Sequence, residues 1–255
     1  MKVAKLCFLA DKTDAAKKAF DVLSEKYGNA PLAGADAAVV LGGDGFMLQM
    51  LHKHIYKNKP FYGMNCGTVG FLLNRFGTEN LYERVANAKP IALKPLKMTV
   101  TGVNAQVCEG LAFNEVSLLR QSRQAAELRI SVDGIQKMAR LVCDGALVST
   151  PAGSTAYNFS VHGPILPLTS NVLALTPVSA FRPRRWHGAL LPENAEVTFD
   201  ILDSAKRPVS AVADFTEIRN VAKVVVRQEN KLSLMLLFDA DYSLEDRVLN
   251  EQFLT

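Results

Sequence analysis

The pattern of apolar and polar positions differs between two parts of the chain, before and after about residue 90. Up to about residue 90, short apolar runs alternate with segments in which apolar residues recur every three or four positions. Such runs are typical of buried strands and such segments of amphipathic helices, so this half is predicted to be α/β with a parallel sheet. The predicted strands are 3–9, 35–41 and 60–65. The predicted helices are 14–27, 46–54 and one that Thr78 caps and that runs to Ala88.

After Pro90 to Pro95 the chain becomes rich in β-branched residues with turn residues between them. Strand 128–132 is followed by Asp133-Gly134, a tight hairpin turn, and 195–202, 208–212 and 223–227 are further predicted strands. In the tail, Ser243 and Asp246 resemble a capping box before a helix over 244–253. We therefore predict an α/β domain over 1–92, a β-rich domain over 93–229, and a tail, 230–255, that packs back on the first domain.

Composition narrows the class of protein. The chain has 255 residues, of which 49% are hydrophobic and 21% charged, which is ordinary for a globular protein. The net charge of +4 suits an anionic small molecule but is too small to indicate a nucleic-acid partner. No apolar run reaches the roughly 18 residues of a membrane span, and no signal-peptide pattern is present. We expect a cytoplasmic protein with neither a nucleic-acid nor a membrane partner.

The cysteines and histidines do not form a metal-binding pattern. They lie far apart without CxxC or HExxH spacing, which argues against a disulfide scaffold and a zinc site. We expect buried thiols and surface or capping histidines, and no protein-held metal. The eight residues are Cys7, Cys66, Cys108, Cys143, His52, His54, His162 and His187.

The sharpest chemical motif is Gly42-Gly43-Asp44-Gly45, between a predicted buried strand and a predicted helix. Glycines let backbone N–H groups approach a phosphate, and a helix N-terminus favours negative charge. A carboxylate would repel the phosphate, but Asp44 could orient Mg²⁺ or take a proton from an attacking hydroxyl. The alternative is a tight turn with Asp44 as the helix N-cap. The loop matches neither GxxxxGK[ST] nor GxGxxG.

A second glycine-rich loop, 65–72, follows the next predicted strand. Two such loops at the same edge of a parallel sheet build a crevice in which α/β folds bind ligands, although this loop could also be a simple connection.

Two later segments carry groups suited to a nucleoside. Asn114 can pair with a base edge and Glu115 can accept from ribose hydroxyls, although the pair could also be a turn. The segment 149–158 combines small residues, hydroxyls and Tyr157, which can hydrogen-bond and stack on a flat ligand, although a turn before a Ser/Thr-capped helix would look similar. A third segment, 182–187, holds three arginines and a tryptophan. It could meet phosphate or a partner subunit, or lie in solvent.

In this order the motifs resemble those of the NAD kinase family. The similarity rests on GGDG at 42–45, the loop 65–71, Asn114-Glu115, Asp144-Gly145 and the stretch 150–158, TPAGSTAYN. GGDG alone is shared with phosphofructokinases and with diacylglycerol and sphingosine kinases, whereas the Asn114-Glu115 pair and the stretch 150–158 single out NAD kinases. The region 182–192 resembles the alphaproteobacterial branch.

The resemblance implies an α/β Rossmann-like N-terminal domain and an all-β, β-sandwich-like C-terminal domain, the NAD kinase/diacylglycerol kinase-like fold. It implies transfer of the γ-phosphoryl of ATP, or of polyphosphate, to the 2′-hydroxyl of the adenosine ribose of NAD, with Mg²⁺ accompanying ATP. It makes Asp44 the general base and implies a homodimer or homotetramer in which Asp144 reaches the NAD bound by a neighbour. Substrate contacts are implied for Gly43, Gly45, Phe71, Asn114, Glu115, Asp144, Ala152, Ser154, Thr155, Ala156, Tyr157, Asn158 and Ser160.

The chain departs from the family pattern away from the GGDG loop. Val142 stands where Arg or Lys is frequent, Ala152 where Ser or Thr is common, Phe215 after Asp214 where glycine is usual, and His162 where glycine begins a Gly-Gly-Pro turn. Two other functions stay open from the residues alone. One is a GGDG-type kinase for a lipid or sugar phosphate, and the other is a non-catalytic NAD(P)-binding regulator.

Overall fold

The computed structural model describes residues 3–67 and 70–240. They divide into two compact units. Unit 1 comprises the described residues up to Leu93 and those from Leu232 onwards, and unit 2 is Lys94–Lys231. Unit 2 is thus inserted within the sequence of unit 1. The domain limits predicted after residues 92 and 229 stay predictions.

Strands dominate the described residues. In chain order the elements are β1 Leu6–Ala10, α1 Asp14–Tyr27, a 3₁₀ turn Leu32–Gly34, β2 Ala37–Gly42, α2 Asp44–Lys53, β3 Phe61–Asn65, α3 Leu81–Asn87, β4 Lys89–Leu93, β5 Leu96–Gly102, β6 Val107–Ala112, β7 Glu115–Arg120, β8 Ala126–Val132, β9 Ile135–Cys143, β10 Gly145–Ser149, a 3₁₀ turn Ala152–Thr155, α4 Tyr157–Ser160, β11 Val172–Val178, β12 Ala189–Pro192, β13 Val197–Ile201, β14 Val209–Ala213, β15 Thr216–Ile218, β16 Val221–Gln228 and β17 Leu234–Phe238.

Unit 1 is the α/β half that the pattern predicts. Its sheet has the order β1-β2-β3-β17-β4, with parallel pairing from β1 through β17 and antiparallel β4 at the edge. β2 is buried along its whole length, as a strand covered on both faces must be. Helix α1 has the predicted bounds, because the Thr13 hydroxyl caps it and Ala16, Ala19 and Leu23 form one buried face.

Most element limits in unit 1 differ from the prediction by one to three residues, and two helix starts and one strand differ for a visible reason. Helix α2 begins at Asp44 rather than at Phe46. Helix α3 begins at Leu81, because Thr78 bonds Glu79 through its hydroxyl and Tyr27 through its carbonyl, while left-handed Asn80 turns the chain into the helix. Strand β4 contains Pro90 and was not predicted. Its place at the sheet edge accommodates a proline that cannot donate to a ladder.

Unit 2 is a β-sandwich. Two six-stranded antiparallel sheets have the orders β12-β11-β10-β7-β14-β15 and β6-β5-β16-β13-β8-β9. One continuous core contains residues of both sheets, among them Val116 and Val148 of the first and Phe199 and Val224 of the second. The Asp133-Gly134 hairpin is confirmed between β8 and β9, where both residues have positive φ. The fold class predicted from the sequence is therefore correct.

The start of the predicted tail belongs to the sheet of unit 1. β17 lies between β3 and β4, and Asn74 Nδ2 donates to Gly63 O at 3.0 Å and to Leu237 O at 2.9 Å. After the strand, Asp239 accepts from Tyr62 Oη at 2.5 Å and pairs with Arg84 at 2.7 Å. The helix predicted over 244–253 lies outside the described residues. None of the helices within 3–67 and 70–240 is both long and apolar enough for a membrane span.

Candidate functional site

The GGDG loop joins β2 to α2 at the carboxyl edge of the sheet in unit 1. Gly43 is the helix N-cap, in an extended conformation, and Asp44 is the first helical residue. The alternative in which Asp44 caps the helix is therefore wrong. The first backbone N–H groups of a helix have no partner within it and form the positive end of its dipole. The loop thus offers amide donors beside a carboxylate.

Gly43 and Gly45 leave space that the fold itself does not need. A Cβ added at either would meet no described atom within 4 Å, and neither residue has a positive φ. At Gly42, by contrast, a Cβ would lie 3.0 Å from the side chain of Phe46. Packing thus accounts for Gly42, whereas bare backbone at Gly43 and Gly45 is what close approach of a phosphate requires.

Asp44 ties this loop to the second glycine loop. Its Oδ2 accepts the Phe71 N–H at 2.6 Å and its Oδ1 accepts the Leu72 N–H at 3.0 Å. The loops also meet through the Cys66 N–H, which donates to Gly42 O at 2.9 Å. Adjacent strands β2 and β3 therefore bring the two predicted loops together, and the backbone fixes the direction of the carboxylate.

In unit 2, the residues Phe113 to Glu115 lead from β6 into β7, and their backbone is held from two sides. The carboxylate of Asp214 accepts from the Phe113, Asn114 and Glu115 N–H groups at 2.6, 3.2 and 3.4 Å. On the carbonyl side, Thr150 Oγ1 donates to Phe113 O at 2.6 Å and the Thr150 N–H donates to Asn114 O at 2.9 Å. Five hydrogen bonds therefore hold the backbone of these three residues.

The side chains of this segment carry acceptors without partners. Asn114 Oδ1 and Glu115 Oε2 are shielded from solvent and have no hydrogen-bond donor. Burial, with a smaller contribution from the charge of Asp214, raises the pKa of Glu115 to about 8. Buried polar atoms are nearly always paired in folded proteins, so two adjacent exceptions indicate groups kept for a ligand.

The stretch 149–158 packs directly against this segment. A Cβ on Gly153 would lie 2.2 Å from Asn114 O, so only glycine permits this approach. The Gly153 N–H donates to Thr150 Oγ1 at 3.1 Å. The short helix α4 then begins after Ala156 without a side-chain cap, so the alternative of a Ser/Thr-capped helix is wrong.

Tyr157 lies near this segment, whereas Asp144 lies at the other end of the β7/β10 pair. Burial is the main cause that raises the pKa of Tyr157, and the charges of Glu115 and Asp144 add to it. Asp144 follows β9, forms an ion pair with Arg120, and leaves 41% of its side chain exposed. Unit 2 therefore brings Tyr157 near Asn114 and Glu115, although they are up to 43 positions apart in sequence, from 114 to 157. Asp144 lies opposite Arg120, at the other end of β7 from Glu115.

Several residues predicted to bind substrate are already engaged within the fold. Ser154 is fully buried, donates to Pro151 O at 2.7 Å and accepts from the Leu166 N–H at 2.9 Å. Asn158 is fully buried as well, donating to Pro164 O and accepting from Thr176 Oγ1. Their binding roles stay predictions, as do those of the remaining predicted contacts. Of these, Ala152 is buried, Phe71, Thr155 and Ala156 are half-buried, and Gly45 and Ser160 are exposed.

The arginine-rich loop is a separate, exposed feature of unit 2. Arg182 and Arg184 lie over the ring of Phe181, with 4.3 and 5.1 Å from guanidinium carbon to ring centroid. All three residues are exposed. The contacts explain how the arginines are held and leave both interpretations of the loop open.

Sequence reasoning missed Asp214 as a site residue. Its partners lie about 100 positions earlier in the chain, and only the pairing of β14 with β7 brings them together. Two indications were available: Asp214-Phe215 stands where many family members have Asp-Gly, and Asp214 falls between two runs of strand-forming residues, where a turn is expected.

No group of three or more His, Cys, Asp or Glu side chains suited to a metal occurs within 3–67 and 70–240. These residues therefore do not form a protein cage for a divalent cation. Mg²⁺ is commonly bound by one or two carboxylates together with substrate phosphates. Asp44, beside the open space at Gly43 and Gly45, fits that second arrangement.

Comparison with known proteins identifies the family. Residues 113–209 match the model of the ATP-NAD kinase C-terminal domain. The chain is 53% identical to an NAD kinase of Caulobacter vibrioides over 98% of this chain and 96% of that protein. It is 52% identical to an NAD kinase of Rhizobium meliloti over 99% and 98% of the two chains.

Solved structures give the same fold at lower identity. The yeast NADH kinase complexed with NADH aligns with a TM-score of 0.81 at 19% identity, over 99% of this chain and 88% of that one. The Archaeoglobus fulgidus NAD kinase in complex with ATP gives 0.74 at 21% identity, over 96% of both chains. With full-length relatives above half identity and a two-part fold shared with these structures, the chain belongs to the NAD kinase family.

Proposed function

We propose that this protein is an NAD kinase that transfers the γ-phosphoryl of ATP to the 2′-hydroxyl of the adenosine ribose of NAD, yielding NADP and ADP. The observation that carries the proposal is the pair of buried acceptors without a donor, Asn114 Oδ1 and Glu115 Oε2, on a backbone held by Asp214 and Thr150. A nucleoside supplies the amine and hydroxyl donors that these two atoms lack. Full-length relatives named NAD kinase, at 53% and 52% identity, agree with this assignment.

We assign the proton transfer to Asp44. The 2′-hydroxyl oxygen attacks the γ-phosphorus, the bond to the β-γ bridging oxygen breaks, and the hydroxyl proton passes to the carboxylate. Bonds from the Phe71 and Leu72 amides hold the carboxylate in one direction before substrate arrives. A positioned base contributes roughly 10²–10⁴-fold to the rate.

Charge on the triphosphate requires stabilisation of its own. The helix N-terminus at Gly43 to Gly45 offers backbone amides, and Mg²⁺ would enter bound to ATP as part of the substrate. Orienting that ion is the alternative role for Asp44. The same amides would also accept polyphosphate, so we retain it as a possible donor.

Unit 2 supplies the dinucleotide contacts in this proposal. Asn114 pairs with adenine, Glu115 accepts from ribose hydroxyls, and Tyr157 packs on the dinucleotide. We further propose that the protein acts as a homodimer or homotetramer in which the partly exposed Asp144 reaches the NAD of a neighbour. No observation in either unit favours a lipid or sugar phosphate as acceptor.

The test compares Asp44→Asn with Asp36→Asn in an endpoint assay of NADP formation from Mg-ATP and NAD. Asp36 is the matched control, because its carboxylate likewise accepts two backbone N–H groups in unit 1, those of Ala4 and Lys5. We expect Asp44→Asn to lower kcat by about 10²–10⁴-fold, with NAD binding by calorimetry changed much less. Asp36→Asn should match the wild type.

Near wild-type turnover in Asp44→Asn would remove the base assignment. The proposed function would be removed if the wild type formed no NADP from NAD with either ATP or polyphosphate as donor, and no NADPH when NADH replaced NAD. Binding of NAD by the wild type without turnover would instead favour a non-catalytic regulator.

A further inference from the structure

A hairpin turn in unit 2 carries an aspartate that bonds the backbone from which two predicted substrate-binding side chains extend. β14 and β15 are joined by Asp214 and Phe215, with Ala213 paired to Thr216. Asp214 has a φ of 46°, in the left-handed region that few residues other than glycine adopt at low cost. β14 also pairs with β7, which places this turn beside the first residue of β7, Glu115.

The Asp214 carboxylate gathers three successive amides onto its two oxygens. Oδ2 accepts from Phe113, and Oδ1 accepts from Asn114 and Glu115. The Asp214 N–H donates back to Glu115 O at 3.4 Å. A carboxylate suits this position because it has only acceptor atoms, whereas the isosteric amide of asparagine would turn an N–H₂ group toward at least one N–H donor.

Keeping an aspartate here has two costs. The backbone is left-handed at a residue with a side chain, and the negative charge disfavours ionisation of the neighbouring Glu115. Glycine would avoid both costs while still making the turn. Glycine would not provide the hydrogen bonds that the Asp214 carboxylate accepts from the Asn114 and Glu115 amides. These bonds fix the backbone, and with it the direction in which the two side chains extend.

We propose that Asp214 is a positioning residue for the dinucleotide: its carboxylate, opposite Thr150, fixes the backbone of residues 113–115 and so places the Asn114 and Glu115 side chains for NAD. The inference rests on the proposed NAD kinase function. It assigns to Asp214 no contact with substrate and no part in phosphoryl transfer.

The experiment measures KM for NAD and KM for ATP separately in Asp214→Asn, Asp214→Glu and Asp133→Asn. Asp133→Asn is the matched control, because Asp133 also has a positive φ of 51° in a hairpin turn of unit 2. Its carboxylate accepts one backbone N–H, that of Glu196 at 2.9 Å. Asp214→Glu keeps the charge but moves the oxygens, and so separates position from charge.

We expect both Asp214 variants to raise KM for NAD about tenfold or more, since small displacements of binding groups cost this much. KM for ATP should change less than about twofold, and Asp133→Asn should match the wild type in both constants. Equal rises in both constants, or a KM for NAD within about twofold of the wild type, would overturn the inference. Should Asp214→Asn fail to fold, Asp214→Glu decides by the same criteria.

Hydrogen exchange separates this inference from the proposed function. If the wild type forms no NADP, the function fails, yet the positioning role is still tested by exchange at the Asn114 and Glu115 amides. Faster exchange there in Asp214→Asn than in Asp133→Asn supports the role. Equal exchange in the two variants would contradict it.

Discussion

Two glutamates of unit 2 show how differently one fold can treat the same side chain. Glu127, on β8, has 10% of its side chain exposed and is paired with Arg140 at 2.7 Å and Arg207 at 3.1 Å. Glu115, at the start of β7, has a shielded Oε2 without any donor and a charged neighbour of its own sign. The hydrogen bond from Arg140 is the main cause that lowers the pKa of Glu127, whereas burial raises that of Glu115 to about 8.

The contrast teaches that the fold has the means to satisfy a buried carboxylate and does so where no ligand is expected. The charge partners of Glu127, Arg140 and Arg207, are not among the predicted site residues. At Glu115 no donor reaches Oε2, so the ionised form of the carboxyl is destabilised until a ligand supplies one. This comparison separates a structural carboxylate from a functional one.

The largest expected effect tests that separation through activity. We expect Glu115→Ala to lower kcat/KM for NAD about a hundredfold, because the ribose hydroxyls lose their buried acceptor. Glu127→Ala should keep kcat/KM close to the wild-type value when both variants are assayed well below their melting temperatures. A comparable loss in the two variants would show that the two carboxylates do not differ in function.

A second prediction concerns stability against pH, where the two glutamates have opposite signs. Folding raises the pKa of Glu115 from an ordinary value near 4.5 to about 8, so between these pH values the folded protein holds a proton that the unfolded chain has released. The contribution of Glu115 to stability therefore falls as the pH rises through this window. Folding lowers the pKa of Glu127, which adds stability above its ordinary pKa that is lost as the pH falls.

Glu115→Gln should accordingly melt on the order of 3 °C above the wild type at pH 8.5, with the gain disappearing toward pH 5. Glu127→Gln should melt below the wild type at neutral pH, and this loss should shrink in acid. Thermal melts of the three proteins from pH 4 to pH 9 provide the measurement. A Glu115→Gln protein less stable than the wild type at pH 8.5 would mean that the Glu115 carboxylate has a donor after all.

The smallest expected effect sharpens the description of Glu127. Arg140 has 61% of its side chain exposed, whereas Arg207 has 19% and also donates to Ala125 O at 2.7 Å. Exposed ion pairs contribute little because water screens them. Arg140→Gln should therefore lower the melting temperature less than Arg207→Gln. In 1 M NaCl, the difference in melting temperature from the wild type should become smaller for Arg140→Gln only. The reverse order would show that exposure does not govern this ion triad.

The sequence was sufficient for those parts of the fold that local patterns determine. Helix α1 has a capping threonine and one apolar face, and both ends are where the pattern predicts. Helix α3 shows the limit, because the start depends on a left-handed Asn80 and on bonds that engage Thr78 elsewhere. Strand β4 was not predicted because Pro90 disfavours a strand except at the edge of a sheet. Which strand lies at the edge depends on how the whole sheet is assembled, and the local sequence does not show this.

The candidate site divides in the same way. Asp44, Asn114 and Glu115 stand in short motifs, so their residue types alone indicated chemistry. That Asp44 receives the Phe71 and Leu72 amides, and that Asp214 holds the backbone of Asn114, depends on strands brought together by pairing. Conversely, Asn158 lies within the most informative motif, yet the structure uses its amide to join Pro164 and Thr176.

The place of β17 has a consequence for the order in which the chain becomes complete at the ribosome. Synthesis proceeds from the N-terminus, so β3 and β4 are made before unit 2. The edges of β3 and β4 that pair with β17 therefore have no partner strand while unit 2 is translated. Only then does Leu234–Phe238 arrive to fill the gap, bringing Asp239 to Tyr62 and Arg84. A nascent chain halted before Leu234 would already contain every residue proposed to bind NAD while the sheet beneath Asp44 still lacked a strand.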